Sequence, residues 1–317
     1  MKHKPLIAVV GATGAQGGGL ARAILDDPDS RFAVRAITRH ADSEKALALA
    51  ARGAEVVTAD LDDQAGLERA LHGAYGAYFV TNFWEHFSPE KETVQAGNLA
   101  RAARAAGLRH VIWSTLEDTR RWVPLDDDRM PTLMGRYKVP HFDAKGESDA
   151  LFTAAGVPVT FLLTSFYWDN LIHFGMGPKP GPDGVLALTL PMGDARLPGI
   201  AAEDIGRCAY GIFRRGDGFI GTTVGIASEC LTGAQMAAAL AAAVHQPVEY
   251  HAVTPEQYRA FDFPGAEDLG NMFQFNRDFT REFCAARAPV LARELNPRLQ
   301  TFAQWLADHA RRIPLGG

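Results

Sequence analysis

The chain has 317 residues, 47% of them apolar and 22% charged, with a formal net charge of −5. This length suits one large domain, or a domain with a smaller lobe, and the mixture excludes a disordered chain, a coiled coil and a collagen-like protein. The negative balance gives no global field for nucleic acid, and Cys208, Cys230 and Cys284 are too scattered for a disulfide framework or a zinc pair, which fits a reduced, cytoplasmic setting.

The first apolar run, Leu6 to Val10, is too short for a secretory signal and reads as a strand. No stretch reaches the roughly 18 apolar residues of a membrane span, so no membrane association is expected. A helix over 15–26 follows, carrying Leu20, Ile24 and Leu25 at helical spacing. Strands over 32–38, 54–58, 74–81 and 109–114 then alternate with helices over 43–52, 64–72 and 89–106. Short buried strands alternating with helices mean βαβ units. The right-handed crossover then gives an α/β fold, a Rossmann-type doubly wound parallel sheet.

The rhythm breaks after residue 114. Residues 118–140 are charged, hold Pro124, Pro131 and Pro140, and read as a loop. A helix over 141–155 and a strand over 157–163 follow, and residues 175–184 form a loop or hairpin entry. Beyond lie strands near 185–190 and 219–224 and helices over 202–213, 232–244, 255–262, 278–293 and 299–311. The expected division is a nucleotide-binding domain over 1–164 and a smaller, mostly helical α/β lobe over 165–317.

The first strand runs directly into Gly11-Ala12-Thr13-Gly14-Ala15-Gln16-Gly17. In a strand–turn–helix context this spacing suits a dinucleotide: Gly11 for the turn, Gly14 for close approach of a pyrophosphate, Gly17 for packing of the helix on the strand. The helix start then presents N–H groups and the positive dipole end to phosphate. The second strand ends at Arg39, with no Asp or Glu for a ribose 2′-hydroxyl, which favours a 2′-phosphate and hence NADP(H). Asp42 keeps an NAD(H) site open as the weaker alternative, and the other reading of Arg39 is a solvated surface cation. Asp60, closing the third strand, faces adenine or simply forms a turn.

No tyrosine is followed by a lysine four residues on, so the Tyr-x-x-x-Lys pair of hydride-transfer enzymes is missing. Lys145 stands in the lysine's place and His141 in the tyrosine's. Either His141 replaces tyrosine as the acid, or the catalytic pair is lost and Lys145 only binds the cofactor. No G-x-S-x-G elbow and no metal-ligand spacing occurs, so neither an α/β-hydrolase nor a metal site is expected.

The glycine loop, Arg39, Val80-Thr81-Asn82-Phe83-Trp84-Glu85, His141-Phe142-Asp143-Ala144-Lys145-Gly146-Glu147, Phe166-Tyr167-Trp168-Asp169-Asn170-Leu171 and Phe263-Pro264-Gly265-Ala266-Glu267-Asp268-Leu269 together resemble the NmrA-like family of atypical short-chain dehydrogenases. The resemblance covers about residues 4–309. It implies NADP(H) held in the cleft by Gly11, Ala12, Thr13, Gly14, Ala15, Gln16, Gly17, Arg39, Thr81, Asn82, Phe83 and Lys145, with Tyr167, Trp168, Asp169 and Asn170 lining it. Tyr167 and Trp168 are otherwise core aromatics. Val94 stands where the family's sensing member carries a cofactor-contacting lysine. Members divide between redox-sensing regulators with a protein partner and reductases of small-molecule acceptors. The missing tyrosine favours the regulator; the alternative is an NADPH-dependent reductase of quinone-like acceptors.

Overall fold

Residues 6–115 of the computed structural model follow the alternation of the sequence. Strands β1 (Leu6–Val10), β2 (Ala33–Thr38), β3 (Glu55–Thr58), β4 (Gly76–Phe79) and β5 (His110–Thr115) alternate with helices α1 (Ala15–Leu25), α2 (Glu44–Ala51), α3 (Gln64–Leu71) and α4 (Pro89–Ala105). Every residue of β4 and β5 is buried, as helices on both faces of a parallel sheet require. The structure describes residues 4–316; residues 1–3 and 317, the outer ends of the two expected domains, lie outside it.

After the charged loop come α5 (Pro140–Ala154), β6 (Val159–Leu163), β7 (Phe166–Tyr167), α6 (Asn170–His173), β8 (Lys179–Pro180), β9 (Leu186–Leu190), β10 (Arg196–Ile200), α7 (Ala202–Arg215), β11 (Thr223–Gly225), β12 (Glu229–Thr232), α8 (Gly233–Val244) and β13 (Val248–Ala252). Five helices close the chain: α9 (Pro255–Arg259), α10 (Ala266–Asp278), α11 (Thr280–Ala285), α12 (Pro289–Leu295) and α13 (Phe302–His309).

The main sheet has seven strands in the order β11-β6-β5-β4-β1-β2-β3, and every neighbouring pair is parallel. The order reverses between β1 and β4, the switch point outside which such sheets bind ligands. The chain beyond residue 164 returns to this layer as β11, α7 and α12. Helices α1 and α7 touch backbone to backbone. A Cβ on Gly19 would lie 2.6 Å from the Glu203 carbonyl oxygen, and one on Gly206 would lie 2.1 Å from the Leu20 nitrogen.

The remaining residues form the second lobe. It holds two three-stranded sheets, β12-β10-β7 and β13-β9-β8, around a core that includes Phe166, Trp168, Leu188, Leu240, Phe273 and Trp305. The lobe therefore has more strands than its sequence suggests. Pro198 and Gly199 interrupt the strand pattern of β10, and β12 is only half-buried. The strand expected over 219–224 is β11, three residues long, because Gly216–Phe219 form a tight turn. The helix expected over 278–293 is two helices. They break at Arg287, whose buried guanidinium turns inward to the Thr164 carbonyl (2.7 Å) and to Glu117 (2.6 and 2.7 Å). Helix α10 escapes the pattern because Asn271, Gln274 and Asn276 are buried polar residues on its inner face. The Asn271 amide donates to the Pro131 carbonyl at 2.9 Å and to that of Lys138, pinning the charged loop to the lobe.

Candidate functional site

A cavity of about 530 Å³ opens at the C-terminal ends of the sheet strands and runs under the second lobe. Its floor is the glycine loop. Gly11 has φ of +66°, and a Cβ there would lie 3.2 Å from Val80 Cγ1, so the turn demands glycine. A Cβ on Gly17 would sit 2.5 Å from the Gly11 carbonyl oxygen; the first turn of α1 rests directly on the loop backbone. Gly14 opens α1 with no side chain capping it, which leaves the first-turn N–H groups to a ligand.

Of the residues expected at the site, Gly11, Thr13, Gly14, Ala15, Gln16, Gly17, Arg39, Asp60, Thr81, Asn82, Phe83, His141, Lys145, Tyr167, Asp169 and Asn170 line this cavity. Two do not. Ala12 packs into the core beneath the loop. Trp168 is 1% exposed and packs against Phe302 and Trp305 at ring-centroid distances of 5.2 and 6.3 Å, so it is a core aromatic of the lobe and not part of the cleft wall. Val94 is exposed on α4 and does not line the cavity.

Gln16 ties the loop to the strands around it. Its amide nitrogen donates to the Tyr167 hydroxyl at 2.5 Å, while its oxygen accepts from Ser114 at 2.8 Å and from the Tyr78 hydroxyl. Burial pushes the Tyr167 hydroxyl up to about 12 and the buried Tyr78 hydroxyl higher still, so both remain protonated at neutral pH. Tyr137 is buried outside the cavity, ahead of the helix that Pro140 begins.

Where the cavity is bordered by the C-terminal ends of β2 and β3, Arg39 reaches across to Glu85, its second guanidinium nitrogen 3.1 Å from Oε2. Both side chains are about half exposed, and the Glu85 hydrogen bond raises the affinity of Arg39 for its proton. Asp60 accepts from the Asp62 N–H at 2.9 Å, closing its own turn while lining the cavity.

Lys145 is held by three acceptors: Thr81 Oγ1 at 2.7 Å, the Thr81 carbonyl at 3.1 Å and Glu92 Oε1 at 2.6 Å. Thr81 takes two of the ammonium's three donors, and Glu92 lies at ion-pair distance from it. Glu92 is fully buried and also accepts from the Thr81 hydroxyl at 2.7 Å. Its second oxygen has no hydrogen-bond partner and lies 3.6 Å from His86 Nε2. Glu92 carried no signal in the sequence, being one of two acidic residues in the first turn of α4.

His141 and Lys145 stand one turn apart on α5, whose start is fixed by Asp143. That buried carboxylate accepts from the Thr119 N–H and hydroxyl (2.7 and 2.6 Å) and from the N–H groups of Lys138 and Val139 (2.8 and 3.1 Å). Burial pushes Asp143 up, against these bonds. His141 Nδ1 lies 2.6 Å from Asp268 Oδ1, and the His141 N–H donates to Oδ2 at 3.2 Å. Asp268 lies in a segment the sequence singled out, without a role. The cavity wall also carries Trp84, whose ring lies 4.7 Å from that of His141, and Phe174, Met176, Leu269, Met272 and Phe283, which together make an apolar chamber. Among the described residues no group of three or more His, Cys, Asp or Glu is placed to hold a metal ion, and no helix is long and apolar enough to cross a membrane.

The chain has counterparts over nearly its whole length. Residues 3–306 match the model of the NmrA-like family. The NmrA-like family domain-containing oxidoreductase FrzB of Cladobotryum sp is 30% identical over 290 residues, covering 86% of this chain and 84% of FrzB. An NAD(P)H azoreductase of Xenophilus azovorans is 28% identical, over 80% of this chain and 78% of its own. Among solved structures, NmrA, a negative transcriptional regulator in complex with NADP, superposes with a TM-score of 0.76 at 24% identity, covering 98% of this chain and 95% of NmrA. Triphenylmethane reductase of Citrobacter sp., complexed with NADP(H), gives 0.74 at 20%, covering 96% and 99%. With the glycine loop, the His141–Lys145 helix and the seven-stranded sheet all in place over nearly its full length, the chain belongs to the NmrA-like family.

Proposed function

We propose that the chain binds NADP(H) in this cleft and reduces a small, planar acceptor bound beside it. The observation that carries the proposal is the cavity's extent: beyond the residues suited to a dinucleotide it continues into the apolar chamber around His141. The residues fit the cofactor. The uncapped start of α1, where only glycine allows the loop and helix to touch, would receive the pyrophosphate. Arg39 is positioned for a 2′-phosphate and Asp60 for the adenine side. Lys145, Thr81, Asn82 and Phe83 border the middle of the cleft, and Tyr167, Asp169 and Asn170 its far wall. Asp169 also fixes that wall by accepting from the Ala202 N–H at 2.8 Å.

NADPH, when bound, supplies a hydride to the acceptor. The protein's part is to orient the acceptor on the chamber's aromatic walls, exclude water from it, and hold a proton at His141. Relatives named as an oxidoreductase and as an azoreductase support this reading. A second reading, a redox-sensing regulator with a protein partner, draws on the missing Tyr-x-x-x-Lys pair and on the regulator among the structural neighbours. NADPH oxidation followed at its own absorbance, with quinones, imines and azo dyes as acceptors, beside a binding titration, separates the two. Acceptor-dependent turnover supports the reductase; tight binding with no turnover supports the sensor.

A further inference from the structure

We propose that Asp268 and His141 form a proton-delivering dyad for this reductase, in which Asp268 is the positioning residue and His141 Nε2 the donor to a neutral, planar acceptor. This deepens the reductase reading and rests on it.

The geometry leaves the imidazole one orientation. Its Nδ1 is 2.6 Å from Asp268 Oδ1, and the same carboxylate accepts from the His141 main-chain N–H at 3.2 Å. Two bonds to one carboxylate fix the ring relative to α5. Aromatic rings confine it from the sides: Trp84 at 4.7 Å between centroids, Phe142 at 4.8 Å and Phe83 at 5.9 Å. The Trp84 clamp depends on Gly265 at the start of α10. A Cβ there would come within 2.8 Å of the Trp84 ring, and Gly265 has φ of +85°. With Nδ1 engaged, Nε2 is the remaining nitrogen of a side chain that lines the cavity. Asp268 lies in the first turn of α10, where the helix dipole favours a negative charge. A buried carboxylate on Nδ1 holds the tautomer and stabilises the imidazolium, as in other acid–base histidines.

The charged and titratable groups around His141 are few. Asp268 faces it from α10, Lys145 stands one turn along its own helix, and Asp169 and His173 lie elsewhere in the cavity wall. His86 sits behind Phe83, 6.2 Å from that ring. Lys145 is engaged by two hydrogen bonds to Thr81 and by the Glu92 ion pair. The chamber gives the acceptor flat apolar walls with His141 as its proton donor, which suits an uncharged conjugated molecule such as a quinone, enone or imine. In the reaction the acceptor gains two electrons with a hydride, as the C–H bond of the reduced nicotinamide breaks and a bond to the acceptor forms. Its resulting anionic heteroatom takes the proton from Nε2. Water then reprotonates the imidazole, so one reduced cofactor and one proton are consumed for each acceptor reduced.

The test uses the full chain, NADPH and 1,4-naphthoquinone, with kcat and KM measured from about pH 5 to about pH 9. His141→Phe should lower kcat roughly 10²-fold while NADPH affinity stays unchanged. Asp268→Asn should lower kcat at neutral pH with KM for the quinone unchanged, and confine activity to more acidic pH than wild type; Asp268→Glu should restore much of the profile. A second readout needs neither cofactor nor turnover. In the free protein, nitrogen-15 NMR should show a hydrogen-bonded His141 Nδ1–H that disappears in Asp268→Asn. If wild type oxidises NADPH with the quinone and His141→Phe keeps the full kcat, the dyad is wrong and the reductase reading stands. If wild type gives no quinone-dependent oxidation, both fall. An unchanged pH profile and an unchanged Nδ1–H signal in Asp268→Asn overturn the positioning role alone.

Discussion

The proposed preference for NADPH rests on Arg39, and this arginine already has an occupant. Its guanidinium is paired with Glu85 at the edge of the cavity. A 2′-phosphate must therefore compete with, or share, that carboxylate. Arg39→Ala removes a charge-assisted hydrogen bond to the phosphate, which costs about 1.5–3 kcal/mol. NADPH should weaken roughly 10- to 150-fold, while NADH, with no 2′-phosphate, should hardly change. Glu85→Gln acts in the other direction. Both side chains are about half exposed, so the pair contributes at most about 1 kcal/mol. Freeing Arg39 should tighten NADPH by up to about fivefold, with the gain shrinking as salt screens the site. Both variants can be titrated with NADPH and NADH by cofactor fluorescence at low and high salt. Equal losses for the two cofactors in Arg39→Ala would refute the 2′-phosphate role. A weaker NADPH affinity in Glu85→Gln would show that Glu85 belongs to the grip and does not compete with it.

Three further outcomes follow from the same geometry. Gly17→Ala should abolish dinucleotide binding, because its Cβ would lie 2.5 Å from the Gly11 carbonyl oxygen, whereas Gly14→Ala meets only a 3.2 Å contact and should keep the fold; normal NADPH titration of Gly17→Ala would contradict the loop assignment. Lys145→Met should destabilise the protein by about 3–5 kcal/mol by leaving the buried Glu92 unpaired, and adding Glu92→Gln should recover much of that loss in thermal unfolding; an additive second loss would contradict the pairing. Burial pushes Asp149 up to about 7 from 3.8, against the bonds it accepts from Thr115 and Trp113. The folded state therefore binds the extra proton, and this group makes stability fall as pH rises from about 4 to about 7. Burial depresses His110 to about 4, which makes stability rise across about pH 4 to 6.5. Asp149→Asn should remove the opposing slope, so that denaturant midpoints climb more steeply over that window than in wild type; an unchanged slope would contradict the assignment.

The first half of the fold could be read directly because its central strands β4 and β5 are buried on both faces, and continuous apolar runs separated by helical spacing have few other solutions. The second lobe could not. Its core helix α10 carries Asn271, Gln274 and Asn276 inward, and its strand β10 contains Pro198 and Gly199, so polarity and breakers hid both. At the site, the glycine loop, Arg39 and the His141–Lys145 helix were legible as cavity-lining segments because each lies within one short stretch of sequence. Glu92 and Asp268 were not assigned roles, because each acts on a residue of another helix and no local spacing links Glu92 to Lys145 or Asp268 to His141. Trp168 was misplaced for a related reason. Beside Tyr167 in sequence, its side chain points to the opposite side of the strand's end, into the lobe core.

The most direct test of the reductase account is single-turnover reduction of 1,4-naphthoquinone by NADPH carrying deuterium at one or the other C4 position. A cleft that fixes the nicotinamide against the His141 chamber predicts a primary isotope effect from one labelled form and none from the other. Quinone reduction with no isotope effect from either form, or no reduction at all, would contradict it.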